Sequence, residues 1–339
     1  MSRKRQQPAP AKGAAPAKGS GPAPAARSRR PLLLLAGAGG LIAVIVAAAL
    51  LFAPRQTAAR GTPTAVPCKG FPPFATQLGF SVNAGIDSGD TRQPGLRVVE
   101  PAQNGGEPKI YEDPSWRQAG HLGAPVLDQS GNIYVAPAPQ ISVALNPPDQ
   151  QNRIYKIDGV TGKMALLVDV PPAQPAALEN PYGVLGLAVD CRTNSLYAAS
   201  VAGSTRAAEV GRLVRIDLIS GQITAQIDGV DAFGLAVATD GDAPGGRLYL
   251  GRARTPEVWS VALDTRGSFS GQPQRELAFG QWLNDGEGRA RRLALGTDGS
   301  LTLTASPFAY TLAPPSTAPQ QLRFVYNPTA RDWEYVALR

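Results

Sequence analysis

The chain is poor in the side chains that most often carry out chemistry. Its 339 residues include one histidine, His121, and two cysteines, Cys68 and Cys191. So few soft ligands, so widely separated, do not read as a zinc or thiol-redox centre. Charged residues make up only 17% and aromatics 6%. There is no Asn-x-Ser/Thr acceptor, because Asn327-Pro328-Thr329 is excluded by its proline. That absence lends no support to a glycosylated surface protein and is compatible with a bacterial one. A G-x-S-x-G elbow, a phosphate loop and a Rossmann fingerprint are missing too. What the chain has in quantity is turn material, 37 glycines and 32 prolines, beside 43% hydrophobic residues. Low charge with dense turn formers suits a β-rich, loop-rich fold better than a helical one.

Charge is unevenly spread. Residues 1–30 hold eight Lys/Arg and no acid, which leaves 25 bases against 26 acids in the remainder. The basic balance therefore belongs to the tail, and a basic-groove nucleic-acid binder is disfavoured. The tail itself is Ala/Pro/Lys/Gly with no aromatic or β-branched residue, so it is expected to be disordered. Residues 31–54 follow as a transmembrane signal anchor. Leu32 to Ala53 is uncharged and mostly apolar, and as a helix rising ~1.5 Å per residue it spans a bilayer core of about 30 Å. A cleaved signal peptide is the alternative, but its apolar region is normally shorter. The positive-inside rule puts the N-terminus in the cytoplasm and the rest outside the cell membrane. In that compartment Cys68 and Cys191 are permitted to form a disulfide, or remain two unrelated thiols.

After a Pro-rich linker (55–73), residues 74–339 repeat one pattern. "HLGAPVLDQSGNIYVAP" leads to "NRIYKIDGVTGKMALLVDV", and "VLGLAVDCRTNSLYAAS" to "GRLVRIDLISGQITAQIDG". Copies begin again near Ala232 and Arg291, and a degenerate one near Gln77 lacks a clear innermost strand. Each reads as a small apolar strand, an Asp/Gly/Asn turn, two further strands, a D-x-x-T/S-G turn and a fourth strand. Such repetition predicts an all-β fold, a β-propeller of five or six four-stranded blades. A β-sandwich does not explain the repeated wording. The C-terminal "EYVALR" ends inside a strand, so the ring is expected to close by pairing the two ends of the domain.

Leu187-Ala188-Val189-Asp190 with Asn194, Leu196 and Tyr197, and Asn132-Ile133-Tyr134-Val135-Ala136, resemble the repeats of NHL and SMP-30/gluconolactonase-like propellers. The resemblance implies the architecture. It also implies, as an alternative activity, a metal-dependent lactonase or hydrolase with acidic and amide ligands at the channel mouth. Glu179, Asn180, Asp231, Asp285 and Glu287 supply oxygen donors of the type a divalent cation such as Ca2+ takes, without forming one motif. Otherwise no cofactor is expected.

The connections between blades, and between second and third strands, are longer than hairpins require and gather on one face. They offer a ligand-binding rim of Trp116, Arg117, His121, Asn180, Tyr182, Asp231, Trp282, Asn284, Asp285, Arg291 and Arg292. No catalytic residue is assigned. His121 reads as structural, and Asp128, Asp190, Asp240 and Asp298, recurring at the same place in each copy, read as turn residues. The expected function is a membrane-anchored, extracytoplasmic binding or scaffolding module of the cell envelope. Its partners would be the bilayer, through residues 32–53, and an envelope protein or small polar ligand at the rim. A weaker alternative makes the basic tail the contact, to anionic lipid or a cytoplasmic partner.

Overall fold

The computed structural model describes residues 61–88, 93–102, 105–139, 143–175, 179–312 and 317–338. The tail and the anchor expected at 31–54 lie outside these residues. Among the described residues no helix is long and apolar enough to cross a membrane.

The described residues are all-β, with five antiparallel sheets formed in sequence order as the blades of a propeller. Blade 2 comprises β5 (Val126–Leu127), β6 (Ile133–Val135), β7 (Arg153–Ile157) and β8 (Met164–Asp169). Blade 3 is β9 (Val184–Asp190), β10 (Ser195–Ser200), β11 (Arg212–Asp217) and β12 (Ile223–Asp228). Blade 4 is β13 (Ala232–Asp240), β14 (Ala243–Arg252), β15 (Glu257–Leu263) and β16 (Phe269–Ala278), and blade 5 is β17 (Gly288–Leu295), β18 (Ser300–Pro307), β19 (Gln320–Asn327) and β20 (Asp332–Val336). Within each the strands pair in chain order, and β9, β13 and β17, the small apolar first strands, sit side by side. Among the described residues the first copy forms three strands, β2 (Gly85–Asp87), β3 (Arg97–Glu100) and β4 (Lys109–Tyr111).

The turn residues behave as their spacing implies. Asp158 Oδ1 accepts bonds from the Val160 and Thr161 amides and the Thr161 hydroxyl, and Asp217 does the same with Ile219 and Ser220. Backbone bonds, chiefly from Thr161 and Ser220, hold both carboxyls below the usual aspartate value. The recurrent Asp128, Asp190, Asp240 and Asp298 likewise accept amides two residues on.

Alternation along the strands sends apolar side chains to both faces, and stacking buries them between blades. Leu196, Ala198 and Val214 pack toward Tyr134 and Ile154 of blade 2. Tyr197, Ala199 and Leu213 pack toward Leu235, Leu248 and Val261 of blade 4. Further clusters join blades 1 and 2 around Val98, Trp116 and Ile133, and blades 4 and 5 around Tyr249, Leu303 and Phe324. Among the described residues no buried cluster joins blade 5 to blade 1.

Two expectations are corrected. Among the described residues the C-terminal strand β20 pairs only with β19, and the N-terminal strand β1 (Thr64–Ala65) pairs with β13, the first strand of blade 4. The two ends of the domain therefore do not meet in one sheet, because β13 presents the backbone edge that the entering chain takes up. Residues 61–73, read as spacer from their composition, form a strap belonging to the domain. Ala65 N–H donates to Gly296 O at 3.1 Å, Gly70 N–H to Asp128 O at 2.9 Å and Phe74 N–H to Gly159 O at 2.9 Å. Cys68 is joined to Cys191 by a disulfide. The strap thus touches the first-to-second strand turns of blades 5, 3 and 2 in succession, then enters α1 (Pro73–Gln77), whose Phe74 and Ala75 are buried with blade 1. It has no apolar period because it binds mostly through its backbone.

Candidate functional site

Strand direction divides blades 2 to 5 into two ends. The hairpin turns, with the strap across them, lie at one end, and the longer connections lie at the other. At this loop end Asp231, in the β12–β13 connection, is fully buried. Its Oδ1 accepts the Ser204 hydroxyl at 2.6 Å and the Gly211 amide at 2.9 Å. Its Oδ2 accepts the Tyr310 hydroxyl and the Arg254 guanidinium, the latter at 3.3 Å. A Cβ on Gly211 would come within 2.3 Å of the carboxylate, so only glycine fits there. Burial, then the bond to Asp231, pushes the Tyr310 phenol well above its ordinary value. The Asp231 amide in turn donates to Glu209 at 2.8 Å, and Glu209 pairs with Arg252 at 2.7 Å.

Asn180 holds the other side of the same loop. Its amide donates to Val201 O at 2.7 Å and Ser204 O at 2.9 Å, while its oxygen accepts the Tyr182 N–H at 3.0 Å. Asn180 and Asp231 therefore meet through Ser204 and fix the loop after β10. Both have their oxygens engaged by protein donors.

Above this network lies an aromatic group from three blades. Phe308 follows β18, and its ring centre is 4.8 Å from that of Phe233 and 5.3 Å from those of Tyr182 and Tyr310. Tyr182 and Phe308 are half-buried, and Phe233 lies beneath them. The Arg291 guanidinium stands 5.9 Å from the Phe233 ring centre, and Arg254 stands 5.4 Å from that of Tyr310, within the range at which a cation is attracted by a ring face. Arg291 and Arg292 are both exposed.

The remaining rim residues stand elsewhere. Trp116 is wholly buried between blades 1 and 2, its indole N–H donating to Gly162 O at 2.8 Å, and so faces core and not rim. Arg117 pairs with Glu112 on the surface. His121 is nearly buried, its backbone N–H donating to Asn146 Oδ1 at 2.8 Å. Trp282, Asn284 and Asp285 form a separate patch on blade 5. Trp282 stacks on Tyr335 at 5.4 Å, and Asn284 and Asp285 line a cleft of about 200 Å³ with Leu283, Thr317 and Gln320. The Glu287 amide and the Thr317 hydroxyl bind the Asp285 carboxylate and keep it below its ordinary value. Glu287 pairs with Arg289, and Glu179 is exposed. The five oxygen donors named as metal candidates thus come from three connections, Glu179 and Asn180 before β9, Asp231 before β13, and Asp285 and Glu287 before β17. Among the described residues no three His, Cys, Asp or Glu gather as metal ligands.

Sequence reasoning did not single out Phe308, Tyr310, Ser204, Glu209, Phe233 or Arg254. One signal was available, since an aromatic-glycine pair stands at the entry to blades 3 and 4 alike, as Tyr182-Gly183 just before β9 and Phe233-Gly234 at the start of β13.

No protein-family model matches the chain, and no curated protein matches it in sequence. Among solved structures it is similar to a nidogen/laminin complex, at 18% identity over 62% of this chain and 64% of that one, with a TM-score of 0.40. The chain thus spans somewhat less than two thirds of that relative. It is also similar to a luciferin-regenerating enzyme, at 12% identity over 84% and 78% of the two chains and a TM-score of 0.49. A glucose dehydrogenase gives 15%, 70%, 76% and 0.38 for the same quantities.

Proposed function

We propose that this protein is a membrane-anchored, extracytoplasmic β-propeller that binds an envelope protein or a small ligand through the loop end of blades 3 to 5. The observation that carries this reading is the chemistry left available there. The Asp231 carboxylate and the Asn180 amide are taken up by protein partners. Half-buried Tyr182 and Phe308, with exposed Arg291 and Arg292, remain open to solvent. Aromatic and arginine side chains are the types that anchor interfaces. The strap joins the domain among the hairpin turns, away from the loop end. The basic tail and the apolar span supply the topology.

The test is photo-crosslinking in intact cells with the full-length protein. A crosslinking residue at Phe308 is expected to trap a partner or labelled ligand, with or without chelator. One at Ile219, exposed in the β11–β12 hairpin turn, is expected to trap none. Adducts formed only from Ile219 would reject the reading. Loss of all Phe308 adducts on chelation would favour the metal-dependent alternative.

A further inference from the structure

The pairing of β17 with β18 is interrupted at Arg291. Ala290 pairs with Ala305 and Arg292 with Thr304, so Arg291 is the additional residue of a β-bulge. A bulge turns two adjacent side chains out of strict alternation and re-aims them, and here both arginines emerge to solvent. The other arginines of this region are paired, Arg252 with Glu209, Arg254 with Asp231 and Arg289 with Glu287. Arg291 and Arg292 have no acidic partner among the described residues.

The backbone around them is crowded. A Cβ on Gly234 would lie 2.6 Å from the Arg291 carbonyl oxygen, so β13 and β17 touch along their backbones. Arg291 is exposed to solvent and yet stands beside the buried Phe233 ring. Burial, then the charge of Arg292, pulls its guanidinium below the ordinary arginine value. An unpaired cation in such a place favours an anion over water, because the low-dielectric wall strengthens the attraction.

We propose that Arg291 and Arg292 form the polar half of a site for a carboxylate borne on an aromatic or apolar body. The carboxylate takes the guanidinium forks, and the body lies on Phe233, Phe308 and Tyr182. This rests on the loop-end reading above and specifies its ligand chemistry. A planar fork opposite a carboxylate gives two parallel N–H···O bonds, and the rings alongside take the apolar remainder.

The experiment titrates full-length protein in detergent with N-acetyl-phenylalanine and, separately, with its neutral amide, read by saturation-transfer NMR and calorimetry. The acid is expected to bind at millimolar concentration, and the amide about tenfold more weakly. Arg291→Gln is expected to weaken the acid about tenfold, with Arg291→Lys retaining part of the affinity and Arg292→Gln losing a few-fold. Equal binding of acid and amide, a measurement that needs no variant, would overturn the proposal. So would unchanged affinity in Arg291→Gln, or no binding by the unmodified protein. Phe308 crosslinks that persist undiminished in Arg291→Gln would leave the binding module standing and remove the anion site alone.

Discussion

Blades 3 and 5 are written in the same grammar and end in different surroundings. In blade 3 every residue of β10 is buried, because blade 2 covers one face and blade 4 the other. In blade 5 the strands alternate. Leu301, Leu303, Leu322 and Phe324 are buried against blade 4, while Thr302, Thr304, Gln321, Arg323 and Val325 on the opposite face are half-buried or exposed. The middle blade has small and apolar residues at successive positions, "SLYAAS", and the last blade has "SLTLTAS". The difference teaches that the local pattern makes a four-stranded sheet, but a neighbour decides whether one face or two belong to the core. Polar residues at period two mark the face with no neighbour.

The comparison breaks most severely where backbones of adjacent blades touch. Gly234→Val drives a side chain into β17 and is expected to cost about 4 kcal/mol or more, or to abolish folding; thermal melting of the variant reads this directly. Next is the difference between a two-sided and a one-sided position. Leu213→Ala in blade 3 is expected to cost about 2–5 kcal/mol, and Val325→Ala on the outward face of blade 5 under about 1 kcal/mol. Equal losses in denaturant titrations would mean that blade 5 has a cover on that face. The strap supplies what ring closure does not, so Cys68→Ser or Cys191→Ser is expected to lower stability by about 2–4 kcal/mol, read as a reductant-sensitive melting temperature in the parent and an insensitive one in the variant.

A smaller effect tests the joint of the first two blades by pH. Asp113 is buried, which alone would raise its pKa, but bonds from Lys163 and Ser115 outweigh this and hold it at about 2. A carboxylate depressed from 3.8 in the folded state binds its proton more readily when unfolded. The stabilisation is therefore complete above about pH 4 and is lost as pH falls toward 2, a contribution of about 2 kcal/mol. Acid titration of Asp113→Asn is expected to lack that decline. Smallest of all, Thr302→Ala on the outward face is expected to move stability by no more than about 0.5 kcal/mol.

Much of this was legible in the residues. Strand wording and the D-x-x-T/S-G turns gave the blades and their order, since turn chemistry is local and Asp158 and Asp217 make the same bonds wherever they stand. The strap was not legible, because Gly70 and Ala65 hold it through backbone groups that any residue carries. The loop end was half legible. Asn180, Tyr182, Asp231 and Arg291 were named, but Tyr310 and Arg254 reach Asp231 from 79 and 23 positions away, and no local spacing encodes such a meeting. Trp116 was misread as rim because an aromatic in a connection looks the same in sequence whether a neighbouring sheet covers it or not.

By itself the sequence determined what short-range physics controls, namely alternation, turn type, the count of copies and the separation of a basic tail and apolar span from a near-neutral remainder. Only the tertiary structure decided that the entering chain pairs with blade 4, that Cys68 meets Cys191, and that a bulge in β17 leaves Arg291 beside the Phe233 ring. Those outcomes depend on which distant backbones and charges come within a few ångströms. Such contacts form only when every blade has taken its place.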